Sequence, residues 1–346
     1  MIGAKVSSLF PRLWSTISLI LGAVQYLLHG RTPPAAYQSL ITLFCKTGGS
    51  SNDSLSLLVS LVHPPYRLRR TDGLLGDLDK PALDTITQQL DQAGYYVFAQ
   101  RLPDDLSARL LHFALTHRCT VRPMDDVGTR VSAKLVDHYN REHLEGVRYD
   151  ISAQDVIDNP DVQRVMADRS IMAAAQRYLR CKPILDVMSM WWHTAYSRIP
   201  DKEAAQFWHF DMDRIKWIKF FIYLTDVGPD NGPHSFIAGS HRTGGIPSVL
   251  RLKGYSRLTD QEVEACFSRD RFLEFSAPRG TIIAEDTRGL HKGKLVSSGD
   301  RLILQLQFSN CLFGGYYAPS RFSRILDPNL LAMVEQYPRL YANYTR

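Results

Sequence analysis

The stretch that most limits what this chain can become is Gln206-Phe-Trp-His209-Phe-Asp211-Met-Asp213, which runs into the β-prone segment 215–225. Side chains of extended backbone alternate between faces, so His209 and Asp211 point the same way. A third group able to complete them stands far along the chain, in Thr287-Arg-Gly-Leu-His291-Lys-Gly, a Gly-flanked turn ahead of another apolar run. A fold that unites the three must lay two distant extended segments side by side. Two histidines and one carboxylate on one face of an octahedral ion leave three positions open, the donor set of non-haem Fe(II) oxygenases. Arg301 heads the run Leu302-Ile-Leu-Gln-Leu-Gln-Phe308 and offers a fixed bidentate cation where an α-keto acid's far carboxylate would need one. Asp213 shares the parity of Asp211 and is the rival ligand, but it lies about 13 Å along an extended strand from residue 209, so Asp211 is expected.

Composition narrows the classes further. With 45% apolar residues the chain can bury a full core, and its net charge of +6 (41 Lys+Arg against 35 Asp+Glu) is mild. The only continuous basic run is Arg67 to Arg70, so nucleic acid is not an expected partner. Cys45, Cys119, Cys181, Cys266 and Cys311 are odd in number, widely spaced and free of any Cys-x-x-Cys pair, which fits a reducing, cytoplasmic setting.

Taken in order, Leu13, Ile17, Ile20, Leu21, Val24, Leu27 and Leu28 recur at helical spacing while Ser15, Thr16, Ser18, Gly22 and Gln25 fall elsewhere, so residues 13–29 read as an amphipathic helix. It is too short and polar to span a bilayer. Its apolar face is expected to dock on the chain's own core or on a second copy, with weak peripheral membrane contact as the alternative. A second helix over 35–44 ends at Gly48-Gly-Ser-Ser-Asn-Asp-Ser54, whose composition is that of a flexible linker. The expected division is a helical extension over 1–46, a linker and irregular segment over 47–80, the main domain over 81–320 and a tail over 321–346. Within the main domain, helices are expected over 81–92, 103–116 and 160–179, strands over 95–99, 183–196, 271–275, 281–285 and 301–308, and a capped helix at Thr259 with Glu262. Residues 119–150 are polar and irregular, as a lid or substrate loop would be. Short strands between turn signals, without βαβ alternation, predict a mainly β sandwich or jelly roll with packed helices.

Residues 206–242 and 280–309 resemble the phytanoyl-CoA dioxygenase family of Fe(II)/2-oxoglutarate oxygenases. The likeness extends beyond the ligands to Lys219-Phe-Phe-Ile-Tyr-Leu-Thr-Asp-Val227, Asp230-Asn-Gly-Pro233 and Phe236-Ile-Ala-Gly-Ser-His241, with Ala238 where proline is usual, and to Gly94-Tyr-Tyr-Val-Phe98. The resemblance implies a double-stranded β-helix, cupin-like in its core. It implies Fe(II) on His209, Asp211 and His291, with O2 and 2-oxoglutarate as cosubstrates and ascorbate as an auxiliary reductant. The cosubstrate's far carboxylate would pair with Arg301. Lys219 is a second candidate for that carboxylate if it faces inward, against an outward solvated lysine, and Tyr223 could donate a hydrogen bond or simply pack. The implied reaction is hydroxylation of a small organic molecule with release of succinate and CO2. Asp211 occupies the position that halogenases of the superfamily leave for chloride.

Other readings stay open here: a cupin-type metal enzyme without 2-oxoglutarate, or a non-catalytic scaffold. His193 could line the site or lie in the core, and His234 and His241 are read as structural. Of Trp191, Trp192, Phe207, Trp208 and Trp217, most are expected to pack the core. Arg214, Arg242 and Arg288 are candidates to meet an acidic substrate near the mouth.

Overall fold

A computed structural model describes residues 2–122, 132, 134–202 and 204–345, with side chains from residue 13 onward. Eight strands lie side by side in the order Tyr95–Arg101, Thr281–Glu285, Trp217–Tyr223, Asp300–Ser309, Ile184–Thr194, Arg148–Ile151, Cys119–Arg122 and Lys134–Val136, each antiparallel to its neighbours. A smaller sheet of Phe272–Phe275, His234–Ile237 and His291–Gly293 faces it. These are the two walls of a jelly roll.

Alternation along the strands decides what each face of the large sheet does. Ile218, Phe220 and Ile222, Leu302, Leu304 and Leu306, and Met188, Met190 and Trp192 form one core with the surrounding helices. The intervening residues Lys219 and Phe221, Arg301, Ile303 and Gln305, and Ser189, Trp191 and His193 line a cavity on the other face. One strand thus supplies core with one parity and site with the other. The helices Lys80–Ala93, Asp104–Thr116, Pro160–Met166 and Arg169–Leu179 cover the outer face. The single helix expected over 160–179 is two helices, broken where Asp168 caps the second by accepting from Ile171 N.

Several expectations need correction. The Gly/Ser-rich stretch is no linker. Helix α1 (Ile2–His29) is followed by α2 (Pro34–Thr47) and α3 (Ser50–Val62), and Gly48 and Gly49, at φ 69° and 99°, form the tight turn between the last two. Ser50 to Ser54 is the first turn of α3, and its Asn52, fully buried, donates to the Ile215 carbonyl at 3.0 Å. Nor does the chain part near residue 46: Leu40 and Phe44 share a core with Phe210, Trp217 and Phe313. Residues 321–346 are not a loose tail, because the helix Pro328–Gln336 and the residues after it bury Leu330, Met333, Leu340 and Tyr341 in the main core. Of the expected lid over 119–150, residues 119–122, 134–136 and 148–150 are in strands of the large sheet, 137–147 connect two of them, and residues 123–131 and 133 lie outside the described residues.

Of the expected dockings of α1, that of its apolar face on the chain's own core is not what the structure has. The helix touches α2 and the body through Ser15, Leu19 and Ala23, while Leu13, Ile17, Ile20, Leu21, Val24, Leu27 and Leu28 face solvent. Gly22 makes the contact possible, since a Cβ there would stand 2.1 Å from the Cβ of Ala36.

Candidate metal centre

Residues 206–213 do not form a ladder of their own. His209 instead makes an isolated antiparallel bridge to His291, its N–H donating to the His291 carbonyl at 3.0 Å and its carbonyl accepting from His291 N–H at 2.9 Å. Asp211 N–H is held at 2.8 Å by the Thr287 carbonyl. The distant histidine is therefore set directly across from the near one, with ring centroids 4.2 Å apart. Each imidazole donates its Nδ1 proton two residues back, His209 to the Phe207 carbonyl at 2.8 Å and His291 to the Gly289 carbonyl at 3.0 Å. That hydrogen bond fixes the tautomer and leaves both Nε2 lone pairs free. They lie 3.7 Å and 3.5 Å from the Asp211 carboxylate. His209, Asp211 and His291 form the one cluster of potential metal ligands among the described residues, their donor atoms all within 4.8 Å of one another.

The electrostatics suit a cation. Burial, and then the facing His291, hold His209 well below its usual range, and burial lowers His291 as well, so both rings are neutral donors at pH 7. Burial alone would raise Asp211, but the Lys219 ammonium, which also donates a hydrogen bond to it, outweighs burial and keeps the carboxyl ionised. Asp213 is not in the cluster. Its Oδ1 accepts from Tyr317 at 2.7 Å, and Lys219 sits between the two carboxylates, 2.6 Å from Asp211 and 3.2 Å from Asp213.

A cavity of about 290 Å³ opens on the three residues. Cross-strand pairing sets Arg301 beside His193 and His193 beside Arg148. Arg301 is 1% exposed, donates to the Gly232 carbonyl and to His193 Nδ1 at 2.8 Å, and leaves its Nε without a partner. It makes no ion pair with the described residues. A guanidinium so placed is costly unless an anion joins it; burial lowers it only to about 10, so it stays charged. Gly293, on the same face of its strand as His291, clears the space in front, because a Cβ there would meet Arg301 Nη2 at 2.9 Å. Trp191, Phe221 and Ile303 supply the apolar wall.

The other expected site residues divide. Lys219 does face inward, but its ammonium is committed to Asp211 and Asp213 rather than free for a cosubstrate carboxylate. Tyr223 is fully buried beneath the cavity; its hydroxyl donates to the Phe275 carbonyl at 3.0 Å and accepts from His234 N–H at 3.1 Å. His193 lines the cavity and is hydrogen-bonded as well. Of the five aromatics only Trp191 reaches the cavity. The three arginines expected near the mouth are elsewhere: Arg214 is paired with buried Asp186 at 2.6 Å, Arg288 with Asp286 and Asp53, and Arg242 lines a different hollow.

Sequence reasoning missed two features. His234, lining the cavity beside His291, lies 2.9 Å from Glu285, whose pKa burial pushes up to about 8. Arg257, with Tyr255 and Tyr317, forms the cavity's rim. Nothing local marks Arg257, which reaches the site only through the bridge that pairs Leu258 with Trp208.

Fold and centre together describe a jelly-roll protein with a two-histidine, one-carboxylate cluster able to hold a metal and a buried arginine beside it. A profile of the family described as Phytanoyl-CoA dioxygenase (PhyH) matches residues 90–301. The chain belongs to the phytanoyl-CoA dioxygenase family, within the Fe(II)/2-oxoglutarate-dependent oxygenases, with iron as cofactor and 2-oxoglutarate and O2 as cosubstrates. Among solved structures, the chain is similar to the epimerase SnoN in complex with Fe3+, alpha ketoglutarate and nogalamycin RO (17% identity, 66% of this chain and 84% of that one, TM-score 0.46). It is also similar to EctD from S. alaskensis (16%, 71% and 83%, TM-score 0.46). A third is HygX from Streptomyces hygroscopicus with nickel, 2-oxoglutarate and hygromycin B bound (15%, 69% and 90%, TM-score 0.44). No curated protein sequence matches the chain.

Proposed function

We propose that this protein is a hydroxylase that inserts one oxygen atom of O2 into a C–H bond of a small organic substrate, with 2-oxoglutarate converted to succinate and CO2. The observation that carries the reading is the buried, charged Arg301, lacking an acidic partner among the described residues, beside a preformed His209–Asp211–His291 cluster. It weighs against a cupin-type enzyme without a keto acid, which has no use for such a cation. Bound at this cluster, iron supplies activation of O2 coupled to oxidation of the keto acid.

The chain's residues do the rest. His209 and His291 present neutral Nε2 donors, and Asp211 offsets one of the metal's two charges. Lys219 holds the second Asp211 oxygen at 2.6 Å and fixes the carboxylate's rotation. Arg301 takes the far carboxylate of 2-oxoglutarate in a charge-assisted pair, and His193, accepting from Nη2, keeps the guanidinium aimed into the cavity. Trp191, Phe221 and Ile303 exclude water from that end. Arg257 at the rim makes no ion pair with the described residues and favours a substrate bearing a carboxylate or phosphate. A cytoplasmic setting belongs to the same reading, because five unpaired thiols and a ferrous site both call for reducing conditions.

The test is turnover under 18O2 with a panel of small acids, reading product mass together with succinate. Hydroxylation places one label in succinate and one in the product. Unlabelled product from an epimerisation, cyclisation or desaturation would reject hydroxylation while leaving the cosubstrate assignment intact.

A further inference from the structure

The largest anomaly in the molecule lies at its N-terminus. Leu13, Trp14, Ile17, Ile20, Leu21, Val24, Leu27 and Leu28 of α1 are 42–81% exposed. At 100° per residue these eight side chains fall within an arc of about 140°. The opposite arc, which touches the protein, carries Ser15, Leu19, Gly22, Ala23 and Tyr26. Helix α3 docks through Asn52, Leu55, Ser56 and Val59 and likewise leaves Leu57, Leu58, Leu61 and Val62 outward at 59–71% exposure. A helix meant only to cap its own core would turn these faces round. Monomeric proteins rarely leave so many large apolar side chains contiguous in water.

We propose that α1, supported by α3, docks on the surface of a lipid bilayer carrying anionic headgroups. Two observations choose this occupant over a second copy of the chain. No acidic residue precedes Asp53, whereas Lys5, Arg12, Arg31 and Lys46 do, and Arg67 and Arg69 follow α3. That one-signed charge suits an anionic surface and would repel a like copy. The apolar face also begins with Trp14, 73% exposed, the side chain that settles at the headgroup boundary. Among the described residues no helix is long and apolar enough to cross a membrane, so the helix lies along the surface.

The docking would also set the catalytic cavity near the bilayer. Tyr26 packs edge-on against Phe313 at 5.5 Å, Thr32 Oγ1 accepts from Gly314 N–H at 2.9 Å, and Arg31 covers Tyr316 at 4.3 Å. The next residue, Tyr317, lines the cavity.

The experiment is flotation of the full-length protein with phosphatidylcholine vesicles, with and without 30% phosphatidylserine, beside light scattering across protein concentration. The variants are Ile20→Glu/Leu27→Glu, both at exposed positions, and Arg12→Glu/Arg31→Glu. Trp14 fluorescence, taken as the difference from Trp14→Phe, provides a second readout. The proposal expects binding to the anionic vesicles, a blue shift of Trp14, and at least a tenfold loss of bound protein in Ile20→Glu/Leu27→Glu with unchanged circular dichroism. It expects a smaller loss on charge reversal and weaker binding to neutral vesicles. A concentration-dependent dimer that Ile20→Glu/Leu27→Glu converts to monomer, without vesicle binding, would overturn it, as would the absence of binding to either vesicle.

Discussion

At the scale of the residue, two charged side chains carry distinct and separable tasks. Arg301 faces the cavity with its Nε unpartnered, so its deletion should act on the keto acid and spare the metal. Arg301→Met is expected to raise KM for 2-oxoglutarate by about 10–100-fold, the worth of a charge-assisted bond, with ferrous affinity unchanged; steady-state kinetics beside metal titration checks this. Arg301→Lys should recover only part, because an ammonium is a point charge and the guanidinium a planar fork. Lys219 predicts the converse. Lys219→Met leaves Asp211 and Asp213 as two buried carboxylates without their shared cation, and metal affinity should fall about 10–100-fold with little change in KM for the keto acid. If Lys219→Met instead changed KM for 2-oxoglutarate alone, Lys219 would belong to the cosubstrate.

At the scale of the element, close approaches decide. Gly293 gives Arg301 its space, and Gly293→Val is expected to raise KM for 2-oxoglutarate while leaving His291 in place, which an intact metal-binding isotherm would show. Gly22 performs the same service between α1 and α2. Gly22→Leu should cost about 1–3 kcal/mol through overpacking, visible as a lowered urea midpoint and faster proteolysis before residue 34. Strand parity made the common orientation of His209, Asp211 and Lys219 legible in the sequence, since a period of two needs only local backbone, and Arg301 was legible from its place at the head of an apolar run. The turn chemistry of Thr259 and Glu262 was legible for the same reason, and the capping box is present as read. What parity could not give was the partner of each inward group. The cross-strand register that sets Arg301 beside His193, and the bridge that carries Arg257 to the rim, are long-range pairings with no local signature. The serine-rich start of α3 misled because Gly48-Gly49 reads alike as linker and as a left-handed turn. The outward face of α1 misled because periodicity reveals an apolar stripe without saying what covers it.

At the scale of the whole molecule, one ionic knot ties the N-terminal helices to the sheet. Asp286 is fully buried, accepts from Tyr178 at 2.5 Å and pairs with Arg288, which reaches Asp53 of α3 at 2.9 Å. Burial would raise Asp286, but Arg288 prevails and lowers it to about 2. The unfolded chain then binds a proton at higher pH than the folded one, so this stabilisation is complete above about pH 4 and lost as pH falls toward 2. Urea midpoints at pH 5 and pH 3 should therefore converge in Asp286→Asn relative to the parent, the variant being weaker at pH 5. The account's central claim, that one buried cluster holds iron and one buried arginine holds 2-oxoglutarate, is tested most directly by anaerobic titration of the apoprotein with Fe(II) and then 2-oxoglutarate. The account predicts the weak visible charge-transfer band of a chelated keto acid, absent in His209→Ala and requiring far more 2-oxoglutarate in Arg301→Ala. Iron binding without that band at any keto acid concentration, or a band indifferent to Arg301, would contradict it.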